Sequence, residues 1–295
     1  MAPAIDTLTA ALLPAPALTH PAFDPLRPWL RRLGENPCVA ALDALLDTGD
    51  RPVTATGCKV HFRAPAGPGP AQYEEHIHRT GEVTTRSGNL HDVFNALAWM
   101  AFPRTKAALN ARHAARLLQE GKVRGPLRDL LTLIDESGVI VACAAPTLAR
   151  YEALVRAFSW QELFWHRRAE LQRDARFVLV GHAAFEKALT PYAGITCKAL
   201  FLPVAAPLPD AMDSAAWAGL VATLDWAAAR WVEGLPDDAS PKGLPPLPVF
   251  GYPGWLPEAT GADFFADRRW FRAAPGPDAT RQASGKTQSR LEFTP

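Results

Sequence analysis

The sequence lacks the cysteine pattern of a disulfide-stapled or zinc-bound protein. Its four cysteines are scattered along the chain, and none of them form a Cys-x-x-Cys pair. A zinc ribbon or a disulfide framework is therefore not indicated, and reduced thiols in the cytoplasm fit the sequence best. With 295 residues, the chain is long enough to bury a sizeable core without such supports.

Long uninterrupted apolar runs are also missing. None approaches the roughly 18 residues that a membrane-spanning helix requires. The N-terminus has no basic start and carries Asp6 ahead of an apolar run that Pro14 and Pro16 interrupt, which makes it a poor secretion signal. We therefore expect a soluble, cytoplasmic protein with no membrane partner.

The chain has no strong charge of one sign, since its formal net charge is +1. Any attraction to a polyanion must therefore come from a local patch. In the stretch 104–128 the only acid is Glu120, and the basic residues are Arg104, Lys106, Arg112, Arg116, Lys122, Arg124 and Arg128. This composition is typical of a solvated helix face, but it also makes the stretch a candidate surface for nucleic acid or an acidic partner.

The two ends of the chain differ in composition from its body. Residues 1–25 are rich in Ala and Pro and are predicted to form a flexible lead-in. Residues 274–295 are polar and turn-rich, which predicts a disordered tail. We predict a single globular domain over residues 26–273.

Hydrophobic spacing predicts a largely helical first half. Leu90, Phe94 and Leu97 fall on one stripe of a helix that ends before Pro103, and a second helix is predicted from Thr105 to Gln119, ended by Gly121.

The second half alternates between helix and strand patterns. LLTLIDESGVIVAC is interpreted as a β-hairpin with Asp135 and Glu136 at its turn. A helix from Pro146 to Arg173, the strand RFVLV, the helix HAAFEKAL and the strand ITCKALFLPV follow. The order is β-β-α-β-α-β, which predicts an α/β or α+β fold with a helical N-terminal half packed on a small mixed sheet.

The main candidate site is the polar cluster between Arg86 and Asn95. His91, Asn95 and Trp99 are spaced four residues apart, so they line one face of the predicted helix. This arrangement favours His91 as a general acid/base, Asn95 as a residue that orients the histidine or the substrate, and Arg86 as the contact for an anionic substrate group. The alternative is structural: Asn89 and Asp92 fit a helix N-cap, and a buried His91 can be satisfied by a backbone carbonyl.

A second candidate lies where the strand RFVLV enters the next helix. His182 opens that helix and Glu186 follows one turn later, a position where sites are frequent in α/β folds. If these residues approach His91 and Asp92, they form an acid–base pair or a mixed N/O site for a divalent metal. The alternative is a hydrogen-bonded histidine at a helix start with no further role.

Three weaker signals remain open between function and structure. Asp135 and Glu136 are either paired carboxylates or ordinary turn residues. Trp255, in VFGYPGWLPE, either contacts a substrate or packs in the core. His76 and His78 form a His-x-His that could ligate a metal from an extended segment, although no third ligand is evident.

Several ordered blocks carry a family resemblance. They are TTRSGNLHDVFNALAWMAFPRTKAALNARH, RDLLTLIDESGVI, LVGHAAFEKALTPYAGITCKAL and PLPVFGYPGWLP. Through them the chain resembles the bacterial domain of unknown function 3025 family from about Tyr73 to Arg272. The resemblance implies one conserved unit and no particular activity. A looser similarity to HNH nucleases rests on His76-Ile77-His78 and on Asn95 and Trp99.

Three functions are compatible with these patterns. The leading hypothesis is a hydrolase that acts on an anionic, phosphoester-like substrate through His91, Asn95, His182 and Glu186, with Arg86 and Trp255 binding the substrate. The alternative is a noncatalytic protein that binds nucleic acid or an acidic partner through Arg86 and the stretch 104–128. In the third, the polar cluster only fastens the helices to the sheet.

Overall fold

The computed structural model describes residues 19–33, 37–67, 72–120, 124–204, 208 and 212–274. Residues 1–18 of the predicted lead-in and residues 275–295 of the predicted tail lie outside these described residues. The lead-in does not extend to residue 25, because Pro21–Leu26 forms a short 3-10 helix. Its Phe23 and Leu26 are completely buried, so this segment belongs to the core.

Short helices and a small parallel sheet make up the first part of the described chain. They are α1 (Arg27–Leu33), α2 (Val39–Leu45), the 3-10 helix Leu46–Thr48, β1 (His61–Arg63), α3 (Tyr73–Thr80) and β2 (Glu82–Thr84). Strands β1 and β2 pair in parallel, with α3 as the crossover between them. The predicted extended segment around His76 and His78 is therefore wrong, since both lie on a helix.

The predicted helical pair is present as α4 (Leu90–Ala101) and α5 (Pro103–Glu120). Asn89 is the N-cap of α4 and accepts a hydrogen bond from the Asp92 backbone N–H at 3.0 Å, as predicted. Helix α4 is buried on nearly all sides, which explains why its apolar residues extend beyond one stripe. Gly121, the predicted stop of α5, lies outside the described residues.

The predicted hairpin is wrong in its first half. Residues Pro126–Ser137 form a helix, α6, and Gly138 starts strand β3 (Gly138–Ala144). The buried residues of α6 recur at helical spacing: Leu127, Leu130, Leu131 and Ile134. Pro126 at the first helical position also favours helix over strand, so Asp135 and Glu136 lie in a last helical turn.

A four-stranded mixed sheet forms the centre of the second half. Its strands β3, β4 (Ala175–Leu179), β5 (Cys197–Val204) and β6 (Pro246–Leu247) lie in the order β4-β3-β5-β6. Strand β3 pairs antiparallel with β4 and parallel with β5. The fold is thus mixed α/β, as predicted.

Eight helical segments of the described chain connect or follow these strands. They are α7 (Ala145–Arg156), the π-helical turn Glu162–His166, α8 (Arg168–Asp174), α9 (His182–Ala188), α10 (Ser214–Glu233) and the 3-10 helices Pro241–Gly243, Val249–Gly251 and Phe264–Ala266. The predicted single helix from Pro146 to Arg173 is therefore interrupted, and Phe158 has a φ of 54° at the break. Among the described residues, no helix is both long and apolar enough to cross a membrane.

Three stacked phenylalanines connect the N-terminal segment to the helices that carry the candidate residues. The Phe23 ring lies 5.9 Å from that of Phe94 on α4 and 6.1 Å from that of Phe185 on α9. The Phe94 and Phe185 rings are 6.1 Å apart. This contact fixes α4 against α9 and so sets the distance between their first turns.

Candidate functional site

The first turns of α4 and α9 bring two histidines into direct contact. The Nε2 atoms of His91 and His182 are 3.0 Å apart, and the ring planes are inclined at 74°. The predicted composite site requires His182 to lie close to His91, and the structure places the two side chains in contact. Residues 91 positions apart in the chain form one cluster.

The other ring nitrogen of each histidine faces a carboxylate. His91 Nδ1 lies 3.1 Å from Oε2 of Glu186, which is one helical turn beyond His182 on α9. His182 Nδ1 lies 3.5 Å from Oδ2 of Asp135 at the end of α6, which is an ion-pair distance rather than a well-formed hydrogen bond. The four side chains form a row, Glu186–His91–His182–Asp135.

Burial differs sharply between the two histidines. The His182 side chain is 7% exposed, and that of His91 is 37% exposed. Burial lowers the pKa of His182 to about 4, against the opposing effect of the Asp135 carboxylate. His182 is therefore neutral near neutral pH, and His91 is the histidine that solvent or substrate reaches.

Lys106 on α5 compensates the charge of Asp135. Its Nζ forms a short ion pair with the Asp135 carboxylate and donates to Asn95 Oδ1 at 2.8 Å. Burial acts to raise the pKa of Asp135, but the Lys106 ammonium outweighs it and holds that pKa below its usual range. Sequence reasoning missed this pair because Asp135 was assigned to a turn and Lys106 to a solvated face.

Asn95 forms no hydrogen bond with His91 within the described residues, so of its two predicted roles the orientation of a substrate stays a prediction. Its Nδ2 donates to the Tyr73 hydroxyl at 3.3 Å, and its Oδ1 accepts from Lys106. Burial raises the pKa of Tyr73, and the nearby Glu74 adds to the effect. Asn95 is therefore part of a polar cluster with Tyr73, Lys106 and Asp135.

Arg86 is bound to the first turn of α4. Its Nε and Nη2 donate to Asp92 at 2.8 and 2.9 Å, and its backbone N–H donates to the same carboxylate at 2.7 Å. Burial of Asp92 is outweighed by these hydrogen bonds, which lower its pKa. The Arg86 side chain remains 58% exposed, so one edge of the guanidinium faces the solvent side of the site.

A cavity of about 620 Å³ opens beside the histidine pair. It lies between α3, α4, α5 and α6, and both histidines line its wall together with Arg86, Asn95, Lys106 and Asp135. A volume of this size suits a small-molecule ligand. Glu186 is not among the lining residues, although it contacts His91.

The floor of the cavity carries further polar groups on α3 and α5. Asn110 Nδ2 donates to the carbonyl and to the carboxylate Oε2 of Glu74, both at 2.8 Å. Burial and the charge of Asp135 raise the pKa of Glu74. Burial also lowers the pKa of His113 to about 4. The floor is thus polar, with an uncharged histidine at neutral pH.

Trp255 does not belong to this site. Its side chain is 3% exposed and its ring packs against Phe177, Phe250 and Tyr252. Its predicted contact with substrate is therefore wrong, and the core alternative holds. The tight bend around it turns the indole inward because an aromatic ring of this size gains more from burial than from exposure.

The basic stretch 104–128 is not an open positive face. Within the part that the structure describes, its arginines form ion pairs with Asp225, Asp237, Glu120 and Asp129. Lys106 is buried inside the site, and Lys122 lies outside the described residues. Of the lysines and arginines that the structure describes in this stretch, Lys106, Arg124 and Arg128 line the cavity.

The side chains do not fit a metal site of ordinary composition. No group of three or more His, Cys, Asp or Glu residues within the described ranges is arranged to hold a metal ion. Asp92, one of the proposed ligands, is bound by Arg86, and His76 and His78 are two residues apart on α3, so their side chains diverge. The HNH-like similarity also fails here, because its histidines require a strand.

These features define the class of the protein. It has an α/β fold with a histidine pair at the wall of a cavity whose volume suits a small molecule. The model of the family described as protein of unknown function (DUF3025) matches residues 62–274, and the chain belongs to this family. No curated protein and no solved structure matches the chain. The matched region contains every residue of the histidine cluster.

Proposed function

We propose that the protein is a hydrolase that acts on a small anionic ester, such as a phosphoester, with His91 as its general acid/base. The observation that carries this proposal is the 3.0 Å contact between two carboxylate-backed histidines at the wall of a cavity. Histidine is the side chain best suited to moving protons near neutral pH. Such pairs of base and orienting carboxylate recur in hydrolytic sites.

In the proposed reaction a water molecule attacks the ester and His91 handles the protons. His91 gives its Nε2 proton to the leaving oxygen as the ester bond breaks, and it takes a proton from the attacking water as the new bond to oxygen forms. Glu186 balances the change of charge on the ring, and His182 holds the ring in place. Arg86, on the cavity wall, is the proposed contact for the anionic group.

The test is a screen of the purified protein against phosphomonoesters, phosphodiesters and carboxylic esters, followed by His91→Gln. We expect turnover of one ester class, and a loss of about 10²- to 10⁴-fold in kcat for the variant, because the proton transfer loses its catalyst. His76→Gln is the matched control, since His76 pairs with Glu82 away from the cavity. Equal turnover by wild type and His91→Gln would refute the role of His91.

The alternative is a noncatalytic protein that binds nucleic acid or an acidic partner. The position of Arg86, Arg124 and Arg128 on the cavity wall supports it, whereas the ion pairs that these and the other arginines of the stretch form with acidic residues do not. Binding of RNA or DNA that weakens steeply with salt and survives His91→Gln would favour this alternative.

A further inference from the structure

The facing Nε2 atoms of His91 and His182 constrain where the protons of the cluster lie. A carboxylate only accepts hydrogen bonds, so a ring nitrogen that faces one is stabilised when it carries a proton. His91 Nδ1 lies at a hydrogen-bond distance of 3.1 Å from Glu186, and His182 Nδ1, which is buried without a hydrogen-bond partner among the described residues, has the Asp135 carboxylate as its nearest anion at 3.5 Å. If each ring carried only that one proton, two lone pairs would meet at 3.0 Å. One of the two Nε2 atoms must therefore carry a proton.

The surroundings of the two rings decide which Nε2 atom carries this proton. His182 is buried beside the ammonium of Lys106, and its pKa is lowered to about 4. A second positive charge there would be unfavourable, so His182 keeps a single proton. The Nε2–H therefore belongs to His91, whose side chain is more exposed and lies against the carboxylate of Glu186.

We propose that Lys106 and Asp135 are positioning residues that fix His182 as its Nδ1–H tautomer. In this form the Nε2 of His182 accepts a hydrogen bond from the Nε2–H of His91. Asp135 acts through His182, and Lys106 acts through Asp135, since its Nζ occupies the other carboxylate oxygen. This inference deepens the proposed function, on which its catalytic meaning rests, but the proton positions themselves can be measured without any substrate.

Lys106 makes the proposal testable through Asp135→Asn. The Lys106 ammonium can only donate, so it will bind the Oδ1 of the new amide. The amide NH₂ is then directed at His182 Nδ1, which must become an acceptor, and the ring must switch to its Nε2–H tautomer. Replacing Lys106 as well, in Asp135→Asn/Lys106→Met, frees the amide to turn its oxygen back to His182.

The experiment is a two-bond ¹H–¹⁵N correlation spectrum of the full-length protein labelled with ¹⁵N-histidine. His182→Gln and His91→Gln assign the signals. We expect the wild type to show a protonated Nδ1 and an unprotonated Nε2 on His182. Asp135→Asn should exchange the two, and Asp135→Asn/Lys106→Met should restore the wild-type pattern. Asp237→Asn, an exposed carboxylate remote from the cavity, is the control and should change nothing.

Three results would overturn the proposal. One is a wild-type His182 with a protonated Nε2, which decides the question even if Asp135→Asn does not fold. Another is an Asp135→Asn spectrum with the tautomer unchanged. The third is a change of both Nε2 signals on treatment with EDTA, since a bound metal rather than a proton would then join the rings.

The outcomes also separate this inference from the proposed function. The expected spectrum without turnover of any ester would refute the hydrolase and leave the tautomer assignment standing. Ester turnover that depends on His91, combined with an Nε2–H tautomer of His182, would refute the role of Lys106 and Asp135 alone.

Discussion

At the scale of single residues, two buried histidines give the protein a specific response to acid. His113 and His182 have pKa values lowered from 6.5 to about 4 by burial. In the unfolded chain both histidines regain their ordinary pKa of 6.5. Between about pH 4 and pH 6.5 the unfolded state therefore binds more protons than the folded state. Stability is therefore fully present above about pH 6.5 and is lost as the pH falls toward 4.

The residue-scale prediction concerns His113→Gln, which removes one of the two titrating groups. We expect the wild-type free energy of unfolding to fall by up to about 1.4 kcal/mol per pH unit for each buried histidine over this window. The variant should lose the His113 part of that slope. Urea unfolding at several pH values measures both slopes, and identical slopes would contradict the assignment.

At the scale of elements, Gly181 decides how closely α9 approaches α6. A Cβ at this position would lie 2.4 Å from the backbone N of Ser137 and 2.5 Å from the carbonyl O of Glu136. Backbone atoms cannot move aside as a flexible side chain can. The absence of a side chain at Gly181 is thus what allows His182 to reach Asp135.

We expect Gly181→Ala to destabilise the protein by about 1–3 kcal/mol, because the added methyl group overpacks a backbone contact. It should also move His182 away from Asp135 and alter the His182 signals in the ¹⁵N spectrum. Gly219→Ala is the matched control, since Gly219 lies in α10 and a Cβ added there would point into open space. There alanine should raise stability by roughly 0.5–1 kcal/mol. Similar urea midpoints for both variants would contradict the steric argument.

At the scale of the whole molecule, the hydrophobic core runs from Ala22 to Phe271. Phe23 lies outside the family-matched region 62–274, yet its ring stacks on Phe94 and Phe185. The N-terminal segment therefore supports the helices that carry His91 and His182.

We expect Phe23→Ala to cost about 3–5 kcal/mol in the free energy of unfolding, since it leaves a cavity between α4 and α9. Leu118→Ala, at a side chain that is 80% exposed, should change stability by less than about 0.5 kcal/mol. Urea titration followed by tryptophan fluorescence provides the comparison. A small effect at Phe23 would mean that the N-terminal segment is dispensable to the core.

Sequence patterns were most informative where a local rule dominates. The family, the mixed α/β class, helix α4 and its Asn89 cap all follow from the spacing and type of neighbouring residues. The strand prediction for LLTLIDES is wrong because two rules compete there. The apolar run fits a strand, but its buried residues have helical spacing and Pro126 opens a helix. The sequence could not separate substrate contact from core packing for Trp255, because an indole suits both a core and a binding site.

The sequence by itself determined which residues begin helices α4 and α9, because caps, prolines and glycines act on the chain nearby. Only the tertiary structure decided that these helix starts meet. His91 contacts residues 91 and 95 positions away, and Lys106 meets Asp135 across two helices. No local spacing encodes such contacts, since they depend on how α4, α6 and α9 pack around Phe94 and Phe185.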